Sequence, residues 1–555
     1  MKMALALAAL FALTAFAGCS GTDSTDSTPT AKVVPDLSIL SKAQYAVKAP
    51  QEVWVSSSVD GKRLDNAVYL PDVADGTKVP VFINFSPYWG DSAMNKGDHF
   101  AQYMISEYVP RGYAVVLSAV RGTGHSEGCF QIGGDQELKD AYDVVDYFSK
   151  QPWSNGNVGA GGKSYDSTTQ NGLIAKFPHP ALKTLFHVSG ITDMYRYNAK
   201  AGVVYNNGLT FNTMYGAGQG LDEYGLPGLG THSDGTSNAD EDQDSLARVI
   251  DDAACVELPK ENASGAGTAA DGMKDAYWQE RDWVKFLPQS TWNGSIFFVH
   301  GLQDWNVKPD NIDPWVEELQ AKHIQVKGWL HQETDNLGHL YPMRTDWNIT
   351  MLRWLDWYLK GIDTGIQNEL GFDVMGSDKV WRHDDTWPPA GRDLSIPSIS
   401  PVPADGYTIA GLGNGTRIAG VPYVSIGAST TGPDPVLLAA LYDVGEGKTT
   451  WLNDAVGRPA LRADLSGPSG YVPGPVAVFN LTFYPMDYEL KAGHSLKLVV
   501  GLDPTRQETQ DMADFEYTPS QAAGTTYSMA VLHLPIISSG AVLSPQPIHM
   551  KCFAC

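Results

Sequence analysis

Three residues able to perform acyl transfer together occur in a suggestive order along the chain. Ser164 stands in Gly162-Lys163-Ser164-Tyr165, between a short strand expected over 157–161 and a helix expected over 168–176. A serine at a sharp strand-to-helix turn has the geometry of a nucleophile elbow. Its hydroxyl stands above the sheet, and the next backbone N–H points at a developing oxyanion. The usual elbow spells G-x-S-x-G, whereas Asp166 holds the last position here; alone, the stretch reads first as an ordinary glycine-rich turn. A serine hydroxyl is a poor nucleophile near neutral pH and needs a base, itself held by an acid. In α/β-hydrolases these follow in the order Ser, Asp, His at the ends of successive strands. Asp304 directly follows an apolar strand expected over 296–300, and His339 lies in the loop after one expected over 326–330. Loop aspartates often only cap turns. His331 competes with His339 but lies nearer its strand end, where packing is the simpler role. Asp166 comes too early in the chain for the acid.

These residues need a scaffold, and the alternation of segments supplies one. Strands are expected over 52–58, 66–70, 79–85, 113–120 and 182–188, with helices over 99–109 and 137–150. The second helix is amphipathic, with Leu138, Tyr142, Val145 and Phe148 on one face. A strand over 295–300, a helix over 312–322, a strand over 324–330 and a helix over 347–359, stopped by Gly361, continue the pattern. Apolar strands alternating with amphipathic helices predict an α/β fold with a mostly parallel sheet covered on both faces. Between 193 and 282 the pattern breaks into Gly, Asn, Asp and Tyr, with helical stretches such as 244–252, which reads as a cap. From about Phe372 onward short β runs divided by Gly and Pro (417–426, 436–442, 476–483, 495–501, 526–534) predict an all-β sandwich.

Composition bounds the setting. At 555 residues the chain exceeds one core, and 43% hydrophobic with 18% charged residues marks a globular protein. With 39 basic against 63 acidic residues the net charge is −24, which argues against nucleic acid as a partner. Lys2 followed by the apolar run 4–17 is an export signal, too short to span a bilayer. It ends in Phe16-Ala17-Gly18-Cys19, which resembles a lipobox with Cys19 as the lipidated residue; an ordinary secretory signal with a chance cysteine is the alternative. The Ser/Thr/Asp-rich stretch 20–32 is a tether. Cys129, Cys255, Cys552 and Cys555 then remain, an even number that allows two disulfides in three pairings. Cys552 and Cys555 are near enough to pair locally, leaving Cys129 with Cys255. The expected organisation is a signal over 1–19, a tether over 20–35, a catalytic domain over 36–192 and 283–368, a cap over 193–282 and a β domain over 369–555.

Several segments resemble the Xaa-Pro dipeptidyl-peptidase and cocaine-esterase family of serine hydrolases. Arg121-Gly122-Thr123-Gly124-His125-Ser126-Glu127-Gly128 is similar to its R-G-x-G-x-S-x-G stretch. Trp153-Ser154-Asn155-Gly156-Asn157-Val158-Gly159 with Gly162-Lys163-Ser164-Tyr165 resembles its elbow. The most specific match is His300-Gly301-Leu302-Gln303-Asp304-Trp305-Asn306-Val307-Lys308-Pro309, which resembles the acid loop of the dipeptidyl-peptidase branch. Trp381, Trp387-Pro388-Pro389 and 485–498 resemble its C-terminal β domain. The resemblance implies an α/β-hydrolase domain with a helical cap and a C-terminal jelly-roll. It implies Ser164 as nucleophile, Asp304 as acid and His339 as base. It also implies an oxyanion hole made by the Tyr165 N–H and by the hydroxyl of Tyr88 in Ser86-Pro87-Tyr88, a residue that otherwise reads as a packed loop aromatic. The family pattern has glycine where this chain has Ser167.

The expected activity is an exported dipeptidyl-peptidase releasing Xaa-Pro from peptide N-termini, with a carboxylate such as Asp222 or Glu223 holding the substrate amine. An esterase or acylase of small esters or amides, and a non-catalytic binding lipoprotein, are the alternatives. The chemistry requires no metal or other cofactor. The expected partners are a small peptide or ester and, through a lipid anchor only, a membrane.

Overall fold

A computed structural model describes residues 36–88, 99–205, 272–332, 338–339, 344–412, 415–432, 435–468, 470–501, 525–537 and 541–543. Its first half is built on strands β1 (Gln51–Ser56), β2 (Arg63–Tyr69), β3 (Val79–Ser86), β4 (Ala114–Ala119), β5 (Ser154–Lys163) and β6 (Leu182–Val188). Helices α1 (His99–Tyr108), α2 (Asp135–Ser149) and α3 (Thr169–Lys176) lie between them. The insertion opens with α4 (Met194–Asn198) and a small ribbon, β7 (Ala199–Lys200) and β8 (Val203–Val204). It closes with α5 (Ala276–Glu280) and α6 (Trp283–Phe286); the span 206–271, with most of the expected cap, lies outside the described residues. The sheet resumes with β9 (Ser295–Gly301), α7 (Asp313–Ala321), β10 (Gln325–His331) and α8 (Trp347–Lys360).

The sheet order is β1-β2-β4-β3-β5-β6-β9-β10, continued by β11 (Gly371–Met375), β12 (Trp381–Asp384) and β23 (Ala541–Val542), among the described residues. From β4 to β11 neighbours run parallel, and the outer pairs are antiparallel. Side chains alternate across the pleat. Val81, Ile83, Ile296 and Phe298 join the core under α2, α3 and α7, while Phe82, Phe186, Phe297 and Val299 join the core under α1 and α8. Burying each such side chain stabilises the fold by roughly 1.5–3 kcal/mol. Gly361 ends α8 in the left-handed conformation, φ 70°, its amide capping the carbonyl of Trp357.

Past the boundary expected at 368/369 the large sheet continues. β11 (Gly371–Met375) pairs parallel with β10, and β12 (Trp381–Asp384) and β23 (Ala541–Val542) follow on its outer side, so these strands extend the hydrolase sheet. The sandwich itself comprises β13 (Arg392–Ser395), β14 (Tyr407–Ile409), β15 (Thr416–Gly420), β16 (Tyr423–Ser429), β17 (Leu437–Gly445), β18 (Lys448–Gly457), β19 (Ala477–Thr482), β20 (Met486–Leu490), β21 (Ser495–Val500) and β22 (Thr526–Ile537). One antiparallel sheet runs β19-β16-β22-β15-β20, with β13 also on β22, and the other runs β14-β21-β17-β18. The run 417–426, expected as one strand, is two: Gly420 takes φ 118° and Pro422 has no amide to donate, so the chain turns between β15 and β16.

Candidate active site

Ser164 follows the last residue of β5 and takes φ 63°, one of few non-glycine residues in the left-handed region. Such a conformation is held only where its surroundings determine it. The Thr168 hydroxyl donates to the Ser164 carbonyl at 2.9 Å and accepts from the Ile191 amide at 3.0 Å. A Cβ on Gly162 would lie 2.5 Å from the Asp166 Cβ and from Asn84 Nδ2, so only glycine lets the turn close there. Ser167, where the family pattern has glycine, is accommodated on its far side. Its Oγ accepts the Val188 amide at 3.2 Å, and it packs against Gly190, where a Cβ would lie 2.8 Å from the Ser167 Cβ. Space left by one small residue is filled by the other.

Register brings the remaining residues to the same edge. Lys163 pairs with Val188, Val188 with Val299, and His300 with Leu330. The residues beyond these positions therefore emerge together at the C-terminal ends of β5, β6, β9 and β10. Asp304 is fully buried past β9, and its Oδ1 accepts the amides of Asn306 and Val307 at 3.0 and 2.9 Å. Its Oδ2 lies 2.8 Å from His339 Nδ1. Two glycines make this contact geometrically possible. A Cβ on Gly301 would lie 2.2 Å from the Gly338 carbonyl oxygen, and a Cβ on Gly338 would lie 2.4 Å from the Asp304 amide nitrogen. Burial raises the Asp304 carboxyl, but the charge and hydrogen bond of His339 outweigh burial and hold it below the ordinary carboxylate range. Burial pushes His300 down to about 4 and keeps it neutral; its Nε2 meets the Val307 carbonyl at 3.0 Å. The competitor His331 is buried at the end of β10, where its carbonyl accepts the Leu302 amide.

Tyr165 is buried behind the elbow, and its ring meets that of Tyr88 edge-on, centroids 6.4 Å apart at 79°. The structure thus brings Tyr88 against Tyr165, the residue that follows Ser164, and His339 against Asp304. The arginine-glycine stretch at 121–128 has a structural part. Arg121 is buried and binds Asp140, Gln136 and Asp60, while Ser126 Oγ bridges the Ala119 carbonyl and the Asp65 amide. Beyond the sequence reading, Glu52, Asp65 and His125 bring ligand-type atoms within 4.8 Å of one another, at the β1–β2 side of the sheet. Gly338, Gly190 and the buried Glu137 carry no local signal in the sequence, because their contacts join segments distant in the chain. Cys129 is disulfide-bonded. Cys19, Cys255, Cys552 and Cys555, with Asp222 and Glu223, lie outside the described residues. Among the described residues no helix is long and apolar enough to cross a membrane.

Residues 60–334 match the family model described as X-Pro dipeptidyl-peptidase (S15 family), and residues 345–501 match that of the X-Pro dipeptidyl-peptidase C-terminal non-catalytic domain. The chain belongs to the S15 X-Pro dipeptidyl-peptidase family. This S15 member is an enzyme, a serine hydrolase. It is 28% identical over 567 residues to a Bacillus anthracis protein provisionally named an Xaa-Pro dipeptidyl-peptidase, covering 88% of this chain and 86% of the relative. Two solved structures share its fold. An aminopeptidase from a marine-sediment Thaumarchaeota archaeon aligns with TM-score 0.63 at 18% identity, over 94% of this chain and 100% of that one. A CocE/NonD family hydrolase from Staphylococcus aureus aligns with TM-score 0.64 at 16% identity, over 89% and 93%. The α/β-hydrolase fold with a C-terminal β-rich domain is therefore that of the family.

Proposed function

We propose that this S15 hydrolase releases Xaa-Pro dipeptides from peptide N-termini through a Ser164-His339-Asp304 triad. The observation that carries the reading is the 2.8 Å contact between His339 Nδ1 and Asp304 Oδ2, at the same sheet edge as the left-handed turn at Ser164. With Nδ1–H donated to the carboxylate, Nε2 keeps its lone pair and is the base. It takes the proton of Ser164 Oγ as the oxygen attacks the carbonyl carbon after proline. The carbonyl oxygen becomes an oxyanion, which accepts hydrogen bonds from the Tyr165 amide and the Tyr88 hydroxyl. His339 then returns the proton to the leaving amine, leaving an Xaa-Pro acyl ester on Ser164. Water, activated by the same nitrogen, hydrolyses it. Burial keeps Asp304 from exchanging with solvent, and its lowered pKa keeps it ionised as the imidazolium forms.

Preference for a free N-terminus is the distinguishing property. A panel of free and N-acetylated Xaa-Pro-nitroanilides beside short acyl-nitrophenyl esters tests it. The free peptide amides are expected to be cleaved and the acetylated ones not. Equal cleavage of both contradicts an exopeptidase, and turnover of esters alone assigns the chain to the esterase or acylase alternative. Export as a lipoprotein is part of the same proposal, supported by the sequence at Cys19. Radiolabelled palmitate is expected to enter the wild type and not Cys19→Ala; equal labelling would remove the anchor from the account.

A further inference from the structure

Among the buried ionisable groups outside the proposed triad, Glu137 bonds directly to the residue that follows Ser164. Glu137 lies in the first turn of α2, 2% exposed. The Tyr165 hydroxyl donates to both its oxygens, at 3.1 and 3.0 Å. The Thr169 hydroxyl donates to Oε1 at 2.9 Å, and the Gly133 amide to Oε2 at 2.9 Å. Burial lifts this carboxyl above its ordinary value, offset only in part by the Gly133, Thr169 and Tyr165 hydrogen bonds and the charge of Arg281. Each of its partners presents a hydrogen, and an ionised carboxylate accepts all of them without competition. Burying a charge is costly, and a residue needed only to fill space at this turn would be apolar.

What Glu137 holds is the back of the elbow. Tyr165 immediately follows Ser164, and its ring meets that of Tyr88, edge-on at 6.4 Å, and that of Phe130 at 5.5 Å. Thr169 opens α3, so the carboxylate also ties the helix that follows the turn to α2. We infer that Glu137 is a positioning residue for the oxyanion hole. By fixing the Tyr165 hydroxyl it sets the direction of the Tyr165 N–H and gives the Tyr88 ring the surface it leans on. The inference rests on the reading of those two groups as oxyanion donors. A donor aimed away from the developing charge is wasted in the transition state, while substrate binding is untouched.

Tyr165→Phe removes the hydroxyl and keeps the ring; Glu137→Gln keeps the size and one acceptor oxygen. Titration of Ser164 with a fluorophosphonate counts competent sites, so that kcat is expressed per reactive enzyme even if a variant is less stable. Tyr165→Phe is expected to lose about tenfold in kcat with KM changed less than about twofold, and to bind a prolyl boronate about tenfold more weakly. Glu137→Gln is expected to fall between it and the wild type. A Tyr165→Phe enzyme with a lowered melting temperature but unchanged kcat per titrated site and unchanged boronate affinity would overturn the inference, leaving Glu137 a structural residue. Fluorophosphonate attached to a residue other than Ser164 in the wild type would instead overturn the reading of the site beneath it.

Discussion

The elbow and the Asp304–His339 junction end at one sheet edge, yet hydrogen-bonding side chains do most of the holding at one and backbone approach does it at the other. Around Ser164, where Gly162 leaves the turn room to close, side chains hold it: the Thr168 hydroxyl bonds the Ser164 carbonyl and the Ile191 amide, the Ser167 hydroxyl accepts the Val188 amide at the end of β6, and Glu137 holds Tyr165. Around Asp304 and His339 it is the lack of side chains that counts. Gly301 and Gly338 let two loops lie backbone against backbone, and the 2.8 Å contact follows from that approach. A lost hydrogen bond of the first kind costs about 1 kcal/mol and leaves a turn that can relax. A methyl group forced between two backbones has no such escape. The elbow should therefore bend under substitution where the junction breaks.

The largest expected effect lies within the junction. Asp304→Asn keeps the shape but stabilises the wrong imidazole tautomer, and kcat should fall by about 10⁴-fold, as loss of the acid does in serine proteases; steady-state kinetics on the cleaved nitroanilide read it. Gly338→Ala touches no reacting group, yet should lower kcat by about 10²-fold or more through displacement of His339. If its kcat stayed within twofold of the wild type, close approach of the loops would not set the junction.

The junction should also be the acid-sensitive half. His300 is held neutral, its pKa lowered from 6.5 to about 4 by burial. Below pH 6.5 the unfolded chain binds a proton that the native state does not, so stability falls with pH until about 4, by about 3 kcal/mol for this residue. His187, lowered well below its ordinary value by burial and by His300, acts in the same direction. Urea unfolding at pH 7 and pH 4.5 measures the loss, and His300→Gln should reduce it.

The smallest effect belongs to the elbow. Ser167→Gly removes the acceptor for the Val188 amide and should cost about 1 kcal/mol with kcat within about twofold. Gly190→Ala should cost more, because its Cβ meets Ser167 at 2.8 Å, and part of that loss should return in the Ser167→Gly background. Strict additivity in the double variant would show that the two positions do not share one space.

Much of this was legible in the sequence because the signals are local. The buried strands β3, β4, β6, β9 and β10 are short apolar runs, and α8 is an amphipathic run ended by Gly361. Ser164, Asp304 and His339 stand out as candidates from their order and strand ends, and the 300–309 run carries the most specific resemblance to the family. The parts that stayed hidden depend on pairing across distance. Nothing within 371–384 says that its strands add to β10 rather than to the sandwich; only the partner strand decides that. Ser167 reads as a departure until Gly190 is opposite it. Glu137 reads as one more polar residue of an amphipathic helix until Tyr165, Thr169 and Gly133 converge on it.

The central claim is that Ser164 and His339 act as one unit. The direct measurement is the rate of fluorophosphonate attachment, with the modified residue identified by peptide mass, in the wild type, Ser164→Ala and His339→Ala. The account predicts rapid attachment to Ser164, none in Ser164→Ala, and a rate lower by at least about 10³-fold in His339→Ala. Attachment that persists in Ser164→Ala, or that is undiminished in His339→Ala, would contradict it.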